Sequence, residues 1–222
     1  MSPFGGHSTE SAPYSGTVDA GTFKLASVLL EYPSASIFEG LDRLYEVVAG
    51  IRSRDSRASL TRFLDWLHST PPTEVAEHYV ATFDLRRRCA LYLTYYRYGD
   101  TRKRGMAMLR FKAAYRAADF TPTDAELPDY LPLVLEFAAL SERGASLLRS
   151  SRPDLELLRK ALHDASTPYA DLVEAVCAEL PKLRRRDMSL VHDHWESGPP
   201  HEDVGLEPFA PPEYLTGQEV RK

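Results

Sequence analysis

Residues able to do chemistry are concentrated between positions 79 and 115 of this 222-residue chain. From 84 to 116 there are ten Lys or Arg residues against two Asp, and Tyr79, Tyr92, Tyr95, Tyr96, Tyr98 and Tyr115 are spread along the same stretch. Arginine and tyrosine are common interface anchors, because each offers much contact for few rotatable bonds. Three kinds of chemistry fit such a run. It could be a solvated helix face with i,i+4 partners, a nucleic-acid surface with aromatics among the charges, or an attractor for an acidic partner or phosphate-bearing cofactor. Charge balance leaves the last two open. Several of the tyrosines must be core, since a helix of this composition cannot expose them all.

A second informative segment is ELPDYLPLVLEF at 126–137. Pro128 suits the neighbourhood of a helix start, where Glu126 and Asp129 would face the positive end of the helix dipole. Read as capping, this is worth about 1 kcal/mol. Read functionally, the two carboxylates form the lip of a groove that receives a basic peptide.

No catalytic or metal-site spacing is present. The seven histidines include no HExxH pattern, and His192 and His194 are a pair where zinc takes three or four ligands. GxSxG, P-loop and GxGxxG motifs are absent. Cys89 and Cys177 lie far apart in apolar helical stretches, which suits buried thiols better than a disulfide framework or metal site. An enzyme is not expected, nor a bound metal or cofactor.

The elements that must position these groups read as helices. Val18, Leu25, Val28 and Leu29 begin a stripe broken at Tyr32-Pro33, and Ile37, Leu41, Leu44 and Val48 form another closed by Gly50. Leu60, Phe63, Leu64 and Leu67 run up to Pro71-Pro72. Val75, Tyr79 and Phe83 then recur every four residues, with Thr73 as a cap and Glu74 in the first turn. The aromatic stretch 89–98 ends at Gly99, Asp100 is placed to cap the next helix, and further helices follow at 128–140, 155–162 and 169–180. No strand-type alternation stands out. The expectation is an all-α, single-domain bundle of about eight to ten helices over residues 18–180. Residues 1–17 read as a flexible leader, and residues 181–222, acidic and rich in proline, as an extended or disordered tail whose apolar islands Leu206, Phe209, Tyr214 and Leu215 could dock. The opening residues lack a secretory signal and no apolar run is long enough to span a bilayer, which points to the cytoplasm. The net charge of −5 argues against the whole molecule binding nucleic acid.

Five segments in order, LEYPS (30–34), YVATFDLRRR (79–88), LYLTYYRYGDTRKRG (91–105), LRFKAAYRAADF (109–120) and ELPDYLPLVLEFAA (126–139), make the chain resemble the NarJ family over residues 18–180. That family, the delta subunit of respiratory nitrate reductase, is similar in turn to the TorD and DmsD chaperones. The resemblance implies a non-catalytic helical chaperone of molybdenum cofactor assembly. It would bind the N-terminal segment of the nitrate reductase alpha subunit and hold the apoenzyme until cofactor insertion, contacting the molybdenum–pterin cofactor at most transiently. A monomer is expected, with dimerisation left open. Another molybdoenzyme as client, or a nucleic-acid-binding regulatory module, remain the alternatives. TorD-type proteins carry an E-x-P-D-H motif in the leader-binding region; Glu126, Pro128 and Asp129 match it and Tyr130 stands in the His position. The client peptide would bind as an amphipathic helix in an apolar groove. Tyr79, Phe83, Tyr92 and Leu93 would line the groove, and Asp84, Glu126 and Asp129 would meet basic client residues. Arg86, Arg87, Arg102 and Arg104 would hold acidic client surface or cofactor phosphates. A further departure is Asp119, in a turn where glycine would be the easier residue.

Overall fold

In the computed structural model, which describes residues 19–122 and 126–200, twelve α-helices form. Helix α1 (Ala20–Leu29) is capped by Asp19, whose side chain accepts from the Gly21 amide, and stops ahead of the Tyr32-Pro33 break. Helices α2 (Ala35–Glu39) and α3 (Leu41–Ala49) follow, with Gly50 closing the latter as expected. Helix α4 (Arg54–Ser69) is capped by Ser53. Helix α5 (Pro72–Tyr79) starts on its proline rather than being capped by Thr73, because Pro72 fills a first-turn position where the missing amide costs nothing. It continues into a wider turn, Val80–Asp84, that keeps Thr82 and Phe83 buried. A 3₁₀ turn, Arg87–Cys89, leads to α6 (Tyr95–Tyr98) and α7 (Arg102–Arg116). Then come α8 (Leu131–Leu140), α9 (Glu142–Ser150), α10 (Arg152–Asp164), α11 (Ala170–Ala178) and α12 (Arg185–Ser197).

The architecture is all-α, as periodicity requires; the only pairing of strand type among the described residues is one antiparallel bridge, Tyr92 to Tyr130. Two of the extra helices, α2 and α6, are only five and four residues long, too short to leave a periodic signal. Helix α9 lies between the expected helices 128–140 and 155–162, and α12 falls in the segment expected to be extended. There α12 forms because Met188, Val191 and Trp195 recur at helical spacing, and its buried Val191 seats it on α10. The aromatic stretch 89–98 is largely non-helical until Tyr95, and Asp100 does not cap α7; it pairs with Arg104 and Arg87 instead. Cys89 is buried in a 3₁₀ turn rather than a helix, and Cys177 is buried in α11. The leader 1–17, Val18 and the islands Leu206, Phe209, Tyr214 and Leu215 lie outside the described residues.

Helix α8 is the hub. Every residue from Leu131 to Ala138 is buried, including Glu136, which marks a helix enclosed on all sides. Helices α1 and α9 pack on it most extensively, while α11 packs on α4, α10 and α1. The α8–α9 corner depends on Gly144: a Cβ there would lie 2.2 Å from the Phe137 carbonyl oxygen. An aromatic cluster fills the space between α4, α5 and α11, with Tyr169 against Phe63, Trp66, Tyr79 and Phe83 at centroid distances of 4.8–5.8 Å.

Candidate functional site

The Glu126–Tyr130 turn is held by two separate parts of the chain. The Leu93 amide donates to the Asp129 carbonyl at 3.1 Å and the Leu131 amide to the Leu91 carbonyl at 2.7 Å, which frames the Tyr92–Tyr130 bridge. From α7 the Tyr115 hydroxyl donates to the Pro128 carbonyl at 2.6 Å. Pro128 is therefore buried in a turn, and it is Pro132 that sits in the first turn of α8.

Within this turn the two carboxylates part company. Asp129 is fully buried, and its Oδ2 accepts from the Thr94 amide at 3.1 Å and the Thr94 hydroxyl at 2.6 Å. Arg104 Nη2 stands 3.8 Å from the same oxygen, and Arg104 Nε donates to Thr94 Oγ1. The expectation that Asp129 sits at a groove lip is thereby corrected. It is an internal tie, because the bridge to Leu91–Leu93 turns its side chain toward the α7 start. Arg104 is corrected likewise. Its side chain is only 14% exposed, lies over the Tyr92 and Tyr95 rings, and braces Asp100 and Asp129 rather than facing a partner. Leu93 is core at 1% exposure.

Glu126 remains exposed, and its charge is felt at the Tyr92 hydroxyl. Around it the structure gathers groups from distant positions. Tyr130 lies beside Tyr79, and Tyr79 donates its hydroxyl to the Leu30 carbonyl at 3.1 Å. Burial pushes both phenols well above the ordinary tyrosine range, so they remain neutral donors. Tyr32, 57% exposed, stands edge-on to Tyr79 at 5.4 Å. Glu31 is half-buried beside them; burial raises its carboxyl, Glu136 and Glu126 raise it further, and Lys24 opposes. Glu136 is tied to Lys24 at 2.5 Å. Asp84 is exposed at the end of the α5 turn, next to the exposed Leu85, and its charge is felt at Tyr79. The result is a tyrosine-walled surface bearing Glu31, Asp84 and Glu126. Tyr79 and Phe83 form its floor at 6% and 7% exposure rather than an open wall.

The arginines divide between two other places. Arg86 and Arg87 lie on a cleft of about 350 Å³ with Arg88, Cys89 and Trp195. Arg88 and Lys160 both stack on the Trp195 ring, at 5.2 and 4.6 Å. Arg102 is exposed at the start of α7. Sequence reasoning left Glu31 and Tyr32 without a role although LEYPS contains them, and it passed over Glu136, whose charge inside an apolar helix was the available signal. Among the described residues no group of His, Cys, Asp and Glu is placed to hold a metal, and no helix is long and apolar enough to cross a membrane.

The all-helical fold recurs in a solved structure. A putative redox enzyme maturation protein from Archaeoglobus fulgidus shares the fold, with a TM-score of 0.56 at 21% identity over 76% of this chain and 97% of that one. Residues 52–175 match the nitrate reductase delta subunit family, and the chain belongs to that family. Among its relatives is the probable nitrate reductase molybdenum cofactor assembly chaperone NarJ of Bacillus subtilis. It is 35% identical over 168 residues, covering 75% of this chain and 91% of that protein. NarJ of Escherichia coli K12 is 30% identical over 68% of this chain and 65% of that protein. The nitrate reductase-like protein NarX of Mycobacterium tuberculosis is 43% identical over 70% of this chain, which spans 24% of that protein's length. The two NarJ relatives bear the name of molybdenum cofactor assembly chaperones.

Proposed function

We propose that the protein is a cytoplasmic assembly chaperone for a respiratory nitrate reductase. It holds the N-terminal segment of the catalytic subunit and keeps the apoenzyme open until the molybdenum–pterin cofactor has entered. It acts as a monomer and needs no cofactor of its own. The observation that carries this reading is the acidic, tyrosine-walled surface around Glu126 in a chain of the nitrate reductase delta subunit family. A peptide with basic residues and helical apolar anchors fits it. Glu31, Asp84 and Glu126 would meet the cations, while Tyr32, Tyr92, Tyr130 and Leu127 would take the apolar side. Arg86 and Arg87, in the cleft under Trp195, are left for acidic client surface. The buried Asp129, Leu93 and Arg104 support the surface from beneath.

Calorimetric titration of a peptide copying the client N-terminus tests this. The triple variant Glu31→Gln, Asp84→Asn, Glu126→Gln should bind at least about tenfold more weakly, the loss of roughly 1.4 kcal/mol. Affinity within a factor of two of the parent would refute the carboxylate role. Full molybdenum loading of the reductase in cells lacking this protein would refute the function, and loading defects confined to a different molybdoenzyme would reassign the client.

A further inference from the structure

Helix α7 turns a face of unusual composition to solvent. It contains Arg102, Lys103, Arg104, Arg110, Lys112 and Arg116 and no acidic residue. Arg104 points inward, but Lys103, Arg110, Lys112 and Arg116 are exposed and form no ion pair with a described residue. Among them Met106 and Leu109 are 70% and 50% exposed, three residues apart and hence on one face. Basic side chains in the first turn also oppose the helix dipole, and Thr101 gives no relief because its hydroxyl donates to the Tyr98 carbonyl. Such a face is complementary to an acidic chain with apolar anchors.

The protein carries that chain itself. Residues 201–222 hold Glu202, Asp203, Glu207, Glu213 and Glu219 against Arg221 and Lys222, with Leu206, Phe209 and Tyr214 between them. The segment starts beside α7. Gly99 has a φ of +53°, and a Cβ there would fall 1.8 Å from the Pro200 carbonyl oxygen. Gly99 precedes Arg102 by three residues, at most about 11 Å. A 15-residue helix is about 22 Å long, which about seven extended residues can follow.

We propose that the acidic C-terminal segment, residues 202–219, docks in cis along the exposed face of α7. Its carboxylates meet Lys103, Arg110 and Lys112, and its apolar side chains cover Met106 and Leu109. Tethering makes weak contact sufficient: at an effective concentration on the order of 1 mM, an intrinsic Kd of about 0.1 mM keeps the segment docked roughly nine-tenths of the time. The docked segment shields this face from other acidic partners. Two exposed apolar residues offer little to insert into a lipid surface, so a membrane is the weaker fit. This inference stands apart from the client-peptide reading, which concerns the surface around Glu126.

A dye attached at Thr216→Cys reports docking in the full chain, since Cys89 and Cys177 are both buried. At low salt its motion should be restrained. Reversing the tail charges (Glu202→Lys, Asp203→Lys, Glu207→Lys, Glu213→Lys) should release it, as should reversing α7 (Lys103→Glu, Arg110→Glu, Lys112→Glu), and combining the two sets should restore the restraint. A dye indifferent to the tail set, or a combined protein that stays released, overturns the proposal. If the α7 set unfolds the helix, the tail set and a salt titration decide, and restraint surviving both overturns it. Restraint that grows with protein concentration means docking between copies and overturns the cis arrangement. Binding of the native chain to phosphatidylglycerol vesicles, lost with the α7 set and unaltered by the tail set, overturns it in favour of a membrane contact.

Discussion

Tyr79 and Leu30, 49 positions apart, are joined by a hydrogen bond from the Tyr79 hydroxyl to the Leu30 carbonyl at 3.1 Å, and the Tyr130 phenol lies beside that bond. The residue standing in the family's histidine position thus lies where the ELPDY turn comes up against α5. Tyr79→Phe removes the donor to the buried Leu30 carbonyl and should cost about 1 kcal/mol of stability. Tyr130→His should make client-peptide affinity change between pH 6 and 8, where an imidazole titrates and a buried phenol does not. Calorimetry across that range, flat for the histidine variant, would remove Tyr130 from the binding surface.

Asp129 and Glu126 should separate cleanly by mutation. Asp129→Ala leaves Arg104 without its buried partner and should lower stability by about 3–5 kcal/mol. Glu126→Gln, at an exposed site, should leave the urea midpoint almost unmoved while weakening peptide binding. A stable Asp129→Ala protein with weak binding would return Asp129 to the groove.

Asp119 ends α7 at a φ of +50°, with the Phe120 amide bonded back to the Tyr115 carbonyl and the Phe120 ring packed on Tyr115 and Phe137. This is a helix C-terminus that favours glycine. Asp119→Gly should stabilise the protein by about 1 kcal/mol. Denaturation with an unchanged m-value checks it, and a loss of stability would mean that the aspartate has a local partner worth more than the strain.

Gly144 should tolerate nothing larger. Gly144→Ala drives a Cβ into the Phe137 carbonyl, which is backbone and cannot swing away, so a loss of about 1–3 kcal/mol is expected despite alanine's better helix propensity. A thermal midpoint at or above the parent's would show that the α8–α9 corner can open freely.

Asp154 links stability to pH. Burial raises its carboxyl from 3.8 to about 6, against the opposing pull of Arg97 at 3.2 Å. Between those values the folded chain keeps the proton and the unfolded chain has lost it. The contribution of this site therefore falls as pH rises from about 4 to about 6 and is level above. Asp154→Asn removes the titration, so its stability relative to the parent should improve as pH goes from 4 to 7. Parallel pH profiles for the two proteins would rule this out.

Helical class, the breaks at Pro33 and Pro71 and the Gly50 stop were all legible from residue types and spacing, because a helix is built from contacts within four positions. The packing of the ELPDY turn against the 79–115 run, through Leu91, Leu93 and Tyr115, is a long-range contact. Which member of each pair faces solvent was not legible in that way. Glu126 and Asp129 are three residues apart with the same charge, yet one is exposed and the other buried, because backbone bonds from Leu91 and Leu93 rotate the turn. Arg102 and Arg104 divide in the same way, since Asp129 and the Tyr92 and Tyr95 rings capture only the second. Glu31 joined the surface because the fold brings it within range of the charges of Glu126 and Glu136, some 95 to 105 positions away. The sequence by itself determined that this protein is a bundle of helices with an aromatic, charge-rich middle. Only the tertiary structure decided which of those charges remain available, because burial is fixed by neighbours distant along the chain.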